Sequence, residues 1–502
     1  MPVGAGMLPS RPSGRGAYRN DPRGALLGSS TTCPDCVRKL FVFLTLALLV
    51  ACNTYQPLTG TEPADAKDWK SKVIPASPQP EGGDPVAGLD YLIHGDYIGS
   101  GVPLEIIRKQ SAKMDLDSLY PRNALNQGIP YYMTAFIADN GAETVNGNCF
   151  TCHAGKVDGQ LILGLGNSFA EWERSMVPMG VAMRVGMAVK YKKDDAETAA
   201  FTDFSNYFKK MAPTVKLNQP GANPAFRLAE ACMMHRNPED LTYSEEPQYA
   251  MYGYNIGTDT PPLWHVGKKN SLYYTGTGRG SMSKLLLQAS VLGVPDSSHT
   301  RQSEIAFRDV YAFLSQLEPP AYPGAVDEPL AREGEAIFED KCAGCHGTYG
   351  AEETYPNKVI NVNVVKTDPL YAQYIQQSDI VDWYNRSWFA LSAPQSSFEP
   401  SYGYVAPPLD GIWATAPYLH NGSVPTVYEL LDSKARPARW TRDGASTSYD
   451  HAKLGWLYDP APKNKKWTFD TSLPGYGNGG HTFGDKLSDA ERWAVVEYLK
   501  TL

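Results

Sequence analysis

Cys149-Phe150-Thr151-Cys152-His153 and Cys342-Ala343-Gly344-Cys345-His346 are two copies of one pattern, a pair of thiols three positions apart followed at once by an imidazole. Such a pair can form thioethers to the vinyl groups of a porphyrin, and the adjacent His has a tether short enough to set its ring beneath the iron. A zinc site would need four ligands, and neither copy has a second C-x-x-C or an H-x-x-x-H near it. Cys149, Cys152, Cys342 and Cys345 are therefore expected to attach two c-type haems, with His153 and His346 as iron ligands.

Outward from these motifs the chain repeats itself. Pro261-Pro262-Leu263-Trp264, then Leu272-Tyr273-Tyr274-Thr275-Gly276 and Leu285-Leu286, is echoed by Pro407-Pro408-Leu409, then Tyr418-Leu419-His420-Asn421-Gly422 and Leu430-Leu431. Each half closes on a similar helical stretch, Ser303 to Leu317 and Ser488 to Leu502, from an N-cap serine to a terminal leucine. Ser488 with Glu491 fits a capping box, and Trp493, Val496, Tyr498 and Leu499 make an apolar stripe of helical period. His153 lies 164 residues before Leu317 and His346 lies 156 residues before Leu502, near-equal spacings that tandem units explain. Glu318-Pro319-Pro320 through about Asp327 marks the boundary, and a helix from Pro329 to Lys341 leads into Cys342. The spacing predicts a mainly α protein of two tandem cytochrome c-like haem domains, 88–326 and 327–502, with extensive irregular loops among 45 Gly and 39 Pro.

The 502 residues are 42% hydrophobic and 20% charged, ordinary for a globular chain, and a net charge of -8 argues against nucleic-acid binding. Residues 1–52 differ in kind. Arg38-Lys39 precede an apolar run from Leu40 to Ala51, right for a signal-peptide core and short for a span. The run ends Leu49-Val50-Ala51-Cys52, which resembles a bacterial lipobox. The expectation is an exported lipoprotein, periplasmic or at the outer membrane of a Gram-negative bacterium, held to the membrane through lipid on Cys52. A plain secretory signal is the alternative. Residues 53–87, rich in Pro, Gly, Asp and Lys without periodicity, read as a flexible linker. Cys33 and Cys36 fall in the leader, and Cys232 reads as a small buried apolar residue.

All 13 methionines lie at or before Met282, so the second haem has no Met ligand within its own half. Its histidines are His420, His451 and His481. His481 sits in Gly477-Asn478-Gly479-Gly480-His481-Thr482-Phe483-Gly484, where glycines would let the backbone approach a planar cofactor. His481 is the preferred sixth ligand and His420 the alternative, itself readable as bonded to a propionate or the backbone; His451 reads as exposed. In the first half, Met176, Met179, Met183 and Met187 recur at helical steps and read as core. His235, His265 and His299 are further candidates, His299 lying four residues before its helix cap as His481 lies seven before its own.

The stretch Trp413-Ala-Thr-Ala-Pro-Tyr-Leu-His-Asn-Gly-Ser-Val-Pro-Thr426 resembles the T-A-P-Y-x-H-x-G signature of the bacterial di-haem cytochrome c peroxidase superfamily. Tyr91-Leu-Ile-His-Gly-Asp-Tyr97, Asn148-Cys-Phe-Thr-Cys-His-Ala154, Pro261-Pro-Leu-Trp264 and the segment at His481 look like its rubber-oxygenase branch. That resemblance, over roughly Gly88 to Leu502, implies an active amino-terminal haem, a bis-histidine carboxy-terminal haem, and a tryptophan relaying electrons between them, carried here onto Trp264. It also allows calcium between the domains, without a ligand set in this chain. The chain departs from the branch in being shorter than expected for a rubber oxygenase, with no identifiable polymer channel or acid/base motif. The expected activity is activation of peroxide or dioxygen at the first haem, with a redox protein as electron donor. A pure electron-transfer protein with both haems six-coordinate is the alternative, and a catalytically silent protein with structural haem a third reading.

Overall fold

The computed structural model describes residues 55–56, 58, 60–80, 82–111, 114, 116, 120–460 and 466–502. The leader with Cys33, Cys36 and Cys52 lies outside them. Thr54–Leu502 forms one compact unit.

Two helix pairs are built alike. The Pro85–His94 helix starts on Asp84, whose carboxylate accepts from the Val86 and Ala87 amides, and it packs against the Glu304–Ser315 helix. The Glu328–Lys341 helix starts on Asp327 and packs against the Asp489–Leu499 helix. In each pair a glycine of the first helix meets the backbone of the second. A Cβ on Gly88 would collide with the Asp309 carbonyl, and one on Gly334 with that of Ala494. Only glycine lets two helix axes come so close. One turn further, Leu92 and Phe338 are fully buried at the crossings.

The repeat is also visible in the backbone between the motifs and the closing helices. Leu272 bridges Gly278 and Tyr418 bridges Val424, both antiparallel. Inside these turns Tyr273 and Leu419 take φ of 69° and 67°, and Gly276 and Gly422 take 63° and 68°. Ser281 and Thr426 then cap the Met282–Leu287 and Val427–Leu431 helices, each accepting from an amide three residues on.

The expectation of a mainly α protein of two tandem haem domains is corrected: the chain is 38% helical and 14% strand, a mixed α/β fold with several small sheets, and Thr54–Leu502 is one unit rather than two. Segments expected as irregular loop pair instead. Gly403–Val405, Lys358–Asn361 and Ser71–Val73 form one three-stranded sheet, and Val102–Pro103, Glu143–Gly147 and Met133–Ile137 another. Gly278–Gly280 pairs with Ser396–Phe398, and Ala154–Val157 pairs with Gln160–Leu163 directly after the first haem motif. The physical reason is that long loops packed over a core must pair their buried amides and carbonyls, and short extended stretches do so across strands. Ser71–Val73 lies in the stretch expected to be a flexible linker, yet it is the edge strand of a sheet.

The closing helices split the cap expectation. Ser488 and Glu491 form the full capping box, whereas the Ser303 hydroxyl caps nothing and receives the Tyr91 hydroxyl at 3.0 Å. Cys232 is buried in the larger core, and burial pushes its thiol up to about 12.

Candidate functional site

His153 Nδ1 lies 3.1 Å from the Pro261 carbonyl, and His346 Nδ1 lies 2.8 Å from the Pro407 carbonyl. The two prolines are equivalent in the repeat. A carbonyl can only accept, so each imidazole donates from Nδ1 and turns Nε2, with its lone pair, the other way. Burial lowers both imidazoles, His153 to about 4, against the raising effect of the carbonyl. Both rings are thus neutral near neutral pH, as a metal ligand must be.

His481 faces His346, ring centroid to ring centroid 6.2 Å, with the planes 64° apart. Two imidazoles sharing one metal, each bonded at about 2 Å, would have centroids about 6 Å apart. Burial lowers His481 to about 3, with His346 and Arg436 adding to the effect. Its Nδ1 is buried with no hydrogen-bond partner among the described residues. His153, His346 and His481 are half-buried. The same holds for Cys149 and Cys152, and burial raises both thiols, Cys152 to about 11. Cys342 is raised to about 11 for the same reason. These residues fit covalently held haem: Cys149, Cys152, Cys342 and Cys345 would carry the thioethers, and the paired imidazoles of His346 and His481 would close both faces of one iron.

The backbone explains how His481 is held. Its amide donates to the Val365 carbonyl at 2.7 Å. Gly480 has φ 73°, and a Cβ there would strike the backbone of Lys366 and Thr367. Gly480, one of the glycines expected to admit a flat cofactor, admits a neighbouring chain segment. Arg436 donates to the carbonyls of Asn478 and Gly480 at 2.7 Å and of His481 at 3.1 Å, and to Leu430 and Glu429 at 2.8 and 3.0 Å. It ties the His481 loop to the end of the Val427–Leu431 helix.

His420, the alternative ligand, stacks on Tyr404 at 4.0 Å, with Tyr371 and Tyr274 beside it. Its carbonyl takes the Asp259 amide, and burial lowers its imidazole to about 3. Tyr274 is its own counterpart in the repeat. His451, expected as exposed, contacts Asp158 at 2.8 Å and stacks against Trp413.

In the first half two other imidazoles meet backbone carbonyls, and both ring nitrogens of His299 are buried without a hydrogen-bond partner among the described residues. His235 Nδ1 meets the Ser244 carbonyl at 3.0 Å, and His265 Nε2 meets the Asp410 carbonyl at 3.0 Å. His299 lies 3.7 Å from Asp96 and 4.0 Å from Asp139. Burial lowers its pKa, but Asp96, Asp139 and Asp296 outweigh that and leave it raised. Met176, Met183 and Met187 pack inward from the Val177–Lys190 helix, and Met179 faces out. Tyr97, whose hydroxyl accepts the Cys149 amide at 3.1 Å, holds the first motif from a position that sequence reasoning did not single out.

Trp264 is buried in a cluster with Phe338, Leu409 and Trp413 of the second half. Its indole donates to the Asp410 carbonyl at 2.8 Å. The indole is thus three residues from the carbonyl that holds His153, and bonded three residues from the one that holds His346. Lys268 adds an ion pair to Asp410 across the same junction.

The family described as RoxA-like, cytochrome c-like matches residues 403–441. Those residues resemble a cytochrome c-like family, and a match of that kind implies covalently bound haem and suggests a haem-based redox function. Two curated relatives come from Sinorhizobium fredii (strain NBRC 101917 / NGR234): uncharacterized protein y4iJ is 32% identical over 37% of this chain, and uncharacterized protein y4iM is 31% identical over 49%. The chain spans 41% and 64% of their lengths. A hydrazine synthase chain of Kuenenia stuttgartiensis shares 14% identity at a TM-score of 0.22, over 64% of this chain and 91% of that one, too low a score to relate the folds. Among the described residues no group of three His, Cys, Asp or Glu side chains gathers to hold a further metal ion, calcium included.

Proposed function

We propose that this chain is an exported di-haem c-type oxidoreductase of the di-haem peroxidase and rubber-oxygenase kind. Peroxide or dioxygen is activated at the haem carried by Cys149, Cys152 and His153. The haem carried by Cys342, Cys345 and His346, closed by His481, serves as electron carrier. The observation that carries this reading is the inequality of the two imidazole arrangements: His346 is faced by His481 at 6.2 Å, whereas His235 and His265 are each tied to a carbonyl and His299 lies between carboxylates.

When bound, an iron with an open face can take up peroxide or dioxygen, and an iron with two imidazoles can only exchange electrons. The residues prepare that difference. The Pro261 and Pro407 carbonyls fix which nitrogen of each histidine is free, and burial keeps each ring neutral. His299, raised in pKa, lies 3.7 Å from Asp96, the neighbour of the Tyr97 that holds the first motif, and the pair is a proton reserve there. The Trp264 indole passes electrons between the halves, because it is oxidisable and is bonded across the junction of the two proline loops. The leader ending in Cys52 places the protein outside the cytosol on a lipid anchor, where a redox protein supplies electrons.

A ferric spectrum of the purified protein, followed through titration with peroxide and, after reduction, with carbon monoxide, tests this reading. One high-spin component that reacts, beside one low-spin component that does not, is the expected result. Two low-spin haems inert to both reagents would mark a pure electron carrier and sink the proposal.

A further inference from the structure

The Val177–Lys190 helix turns an apolar face outward. Val177 is 40% exposed, Met179 47%, Val181 46%, Val185 57% and Val189 84%, and Ala182 is exposed among them. Wound at about 100° per residue, these positions span an arc of about 200° with no polar side chain in it. Gly180 and Met187 face the other way and are buried, Gly180 against Phe208 of the Ala196–Met211 helix. Apolar patches of this extent on a surface mark contact with something other than water.

The charges around the arc select what that is. On the helix the only ionisable side chains are Arg184 and Lys190, one on each border of the arc. The helix itself carries no acidic residue, and Lys192 and Lys193 follow it, while Glu173 before it and Asp194 and Asp195 after it lie beyond the arc. Glu171 pairs with Arg174 and Glu105 with Lys190, both from outside the helix. An apolar stripe edged by cations is the form of a helix that lies in a membrane interface, its valines among acyl chains and its cations at anionic headgroups. Fourteen residues make a helix of about 21 Å, too short to cross about 30 Å of hydrocarbon, so it lies flat. A second copy is a poorer occupant, since two such faces would bring like charges together along both borders.

We propose that this face docks the protein onto a lipid surface bearing anionic headgroups, without any acyl chain being needed. The compact unit Thr54–Leu502, loaded with haem and freed of its leader, is sedimented with vesicles of phosphatidylethanolamine and phosphatidylglycerol, and with vesicles of phosphatidylcholine alone. It should pellet with the first and much less with the second. Val181→Glu with Val185→Glu should weaken pelleting about tenfold, two half-exposed valines being together worth about 1.5 kcal/mol in transfer. Haem spectrum and melting temperature should stay unchanged. Lys192→Glu with Lys193→Glu, beyond the helix end, should weaken it as well and covers the case in which the first variant folds poorly. Failure of the wild type to pellet, or equal pelleting of both variants, overturns the proposal. So does a lipid-free dimer that the valine substitutions dissociate, since a second copy would then be the occupant.

Discussion

Replacing Arg436 by Met should free the loop that carries His481 while keeping much of the side chain's apolar stem. Arg436 makes five hydrogen bonds to carbonyl oxygens, three of them to Asn478, Gly480 and His481. A bond from a charged donor contributes about 1.5 to 3 kcal/mol net. The bonds to the Glu429 and Leu430 carbonyls hold Arg436 to the helix end and do not involve the His481 loop, so they drop out of the loop equilibrium. Counting the three loop bonds at about 1 kcal/mol each gives about 3 kcal/mol, roughly a hundredfold shift toward the open loop. With a haem at the second motif closed by His481, as proposed, carbon monoxide would bind there only when His481 has left, so its binding rate to the reduced protein reports the open population. That rate should rise by roughly the same factor, with His481→Ala as the fully open limit. Fast binding in His481→Ala but wild-type binding in Arg436→Met would refute the clamp. Wild-type binding in both would refute His481 as the ligand.

Three further outcomes follow from the packing and the charges. Gly334→Ala forces a methyl into the Ala494 carbonyl and should cost about 3 kcal/mol in thermal unfolding, whereas Gly186→Ala, with nothing within 4 Å, should gain about 1 kcal/mol from helix propensity; equal effects would remove the case for a close crossing. Trp264→Phe keeps an aromatic ring in the core but leaves the Asp410 carbonyl to His265 alone, so stability should fall by about 1 kcal/mol while electron exchange between the haems slows markedly in stopped-flow mixing. Unchanged exchange would make Trp264 a core residue only. His299 has a raised pKa, so its stabilising contribution is complete below its unfolded value of about 6.5 and is lost as pH rises through the folded one. Denaturant unfolding of wild type and His299→Gln should therefore differ more at about pH 5 than at about pH 9, and a difference that does not depend on pH would show that Asp96 and Asp139 do not hold a charged ring.

The approach of His481 to His346 was legible in the sequence. The two C-x-x-C-H motifs are local, since chemistry within five residues sets which side chains sit together. The methionine census pointed to His481, and the tertiary structure brings that residue opposite His346. The Ser488 capping box is equally local. The same rule misled at Ser303, where the right residue type stands at the right place but its hydroxyl is taken by Tyr91, 212 residues away. The pairing of loops into small sheets left no trace in the pattern, because strands of two to five residues carry too little alternation to be read.

The chain's order determined that the molecule is written twice: the motifs, the two proline loops, the turns at Tyr273 and Leu419 and the closing helices all follow in the same sequence in each half. Local stereochemistry suffices for that, since each piece folds on what its near neighbours allow. Tertiary structure alone decided that the halves differ. Which imidazole comes within 6.2 Å of His346, which backbone carbonyl takes each Nδ1, and how Trp264 and Arg436 join segments far apart in the chain are set by contacts across long separations. Those contacts form only once the core has closed and every buried donor has had to find an acceptor.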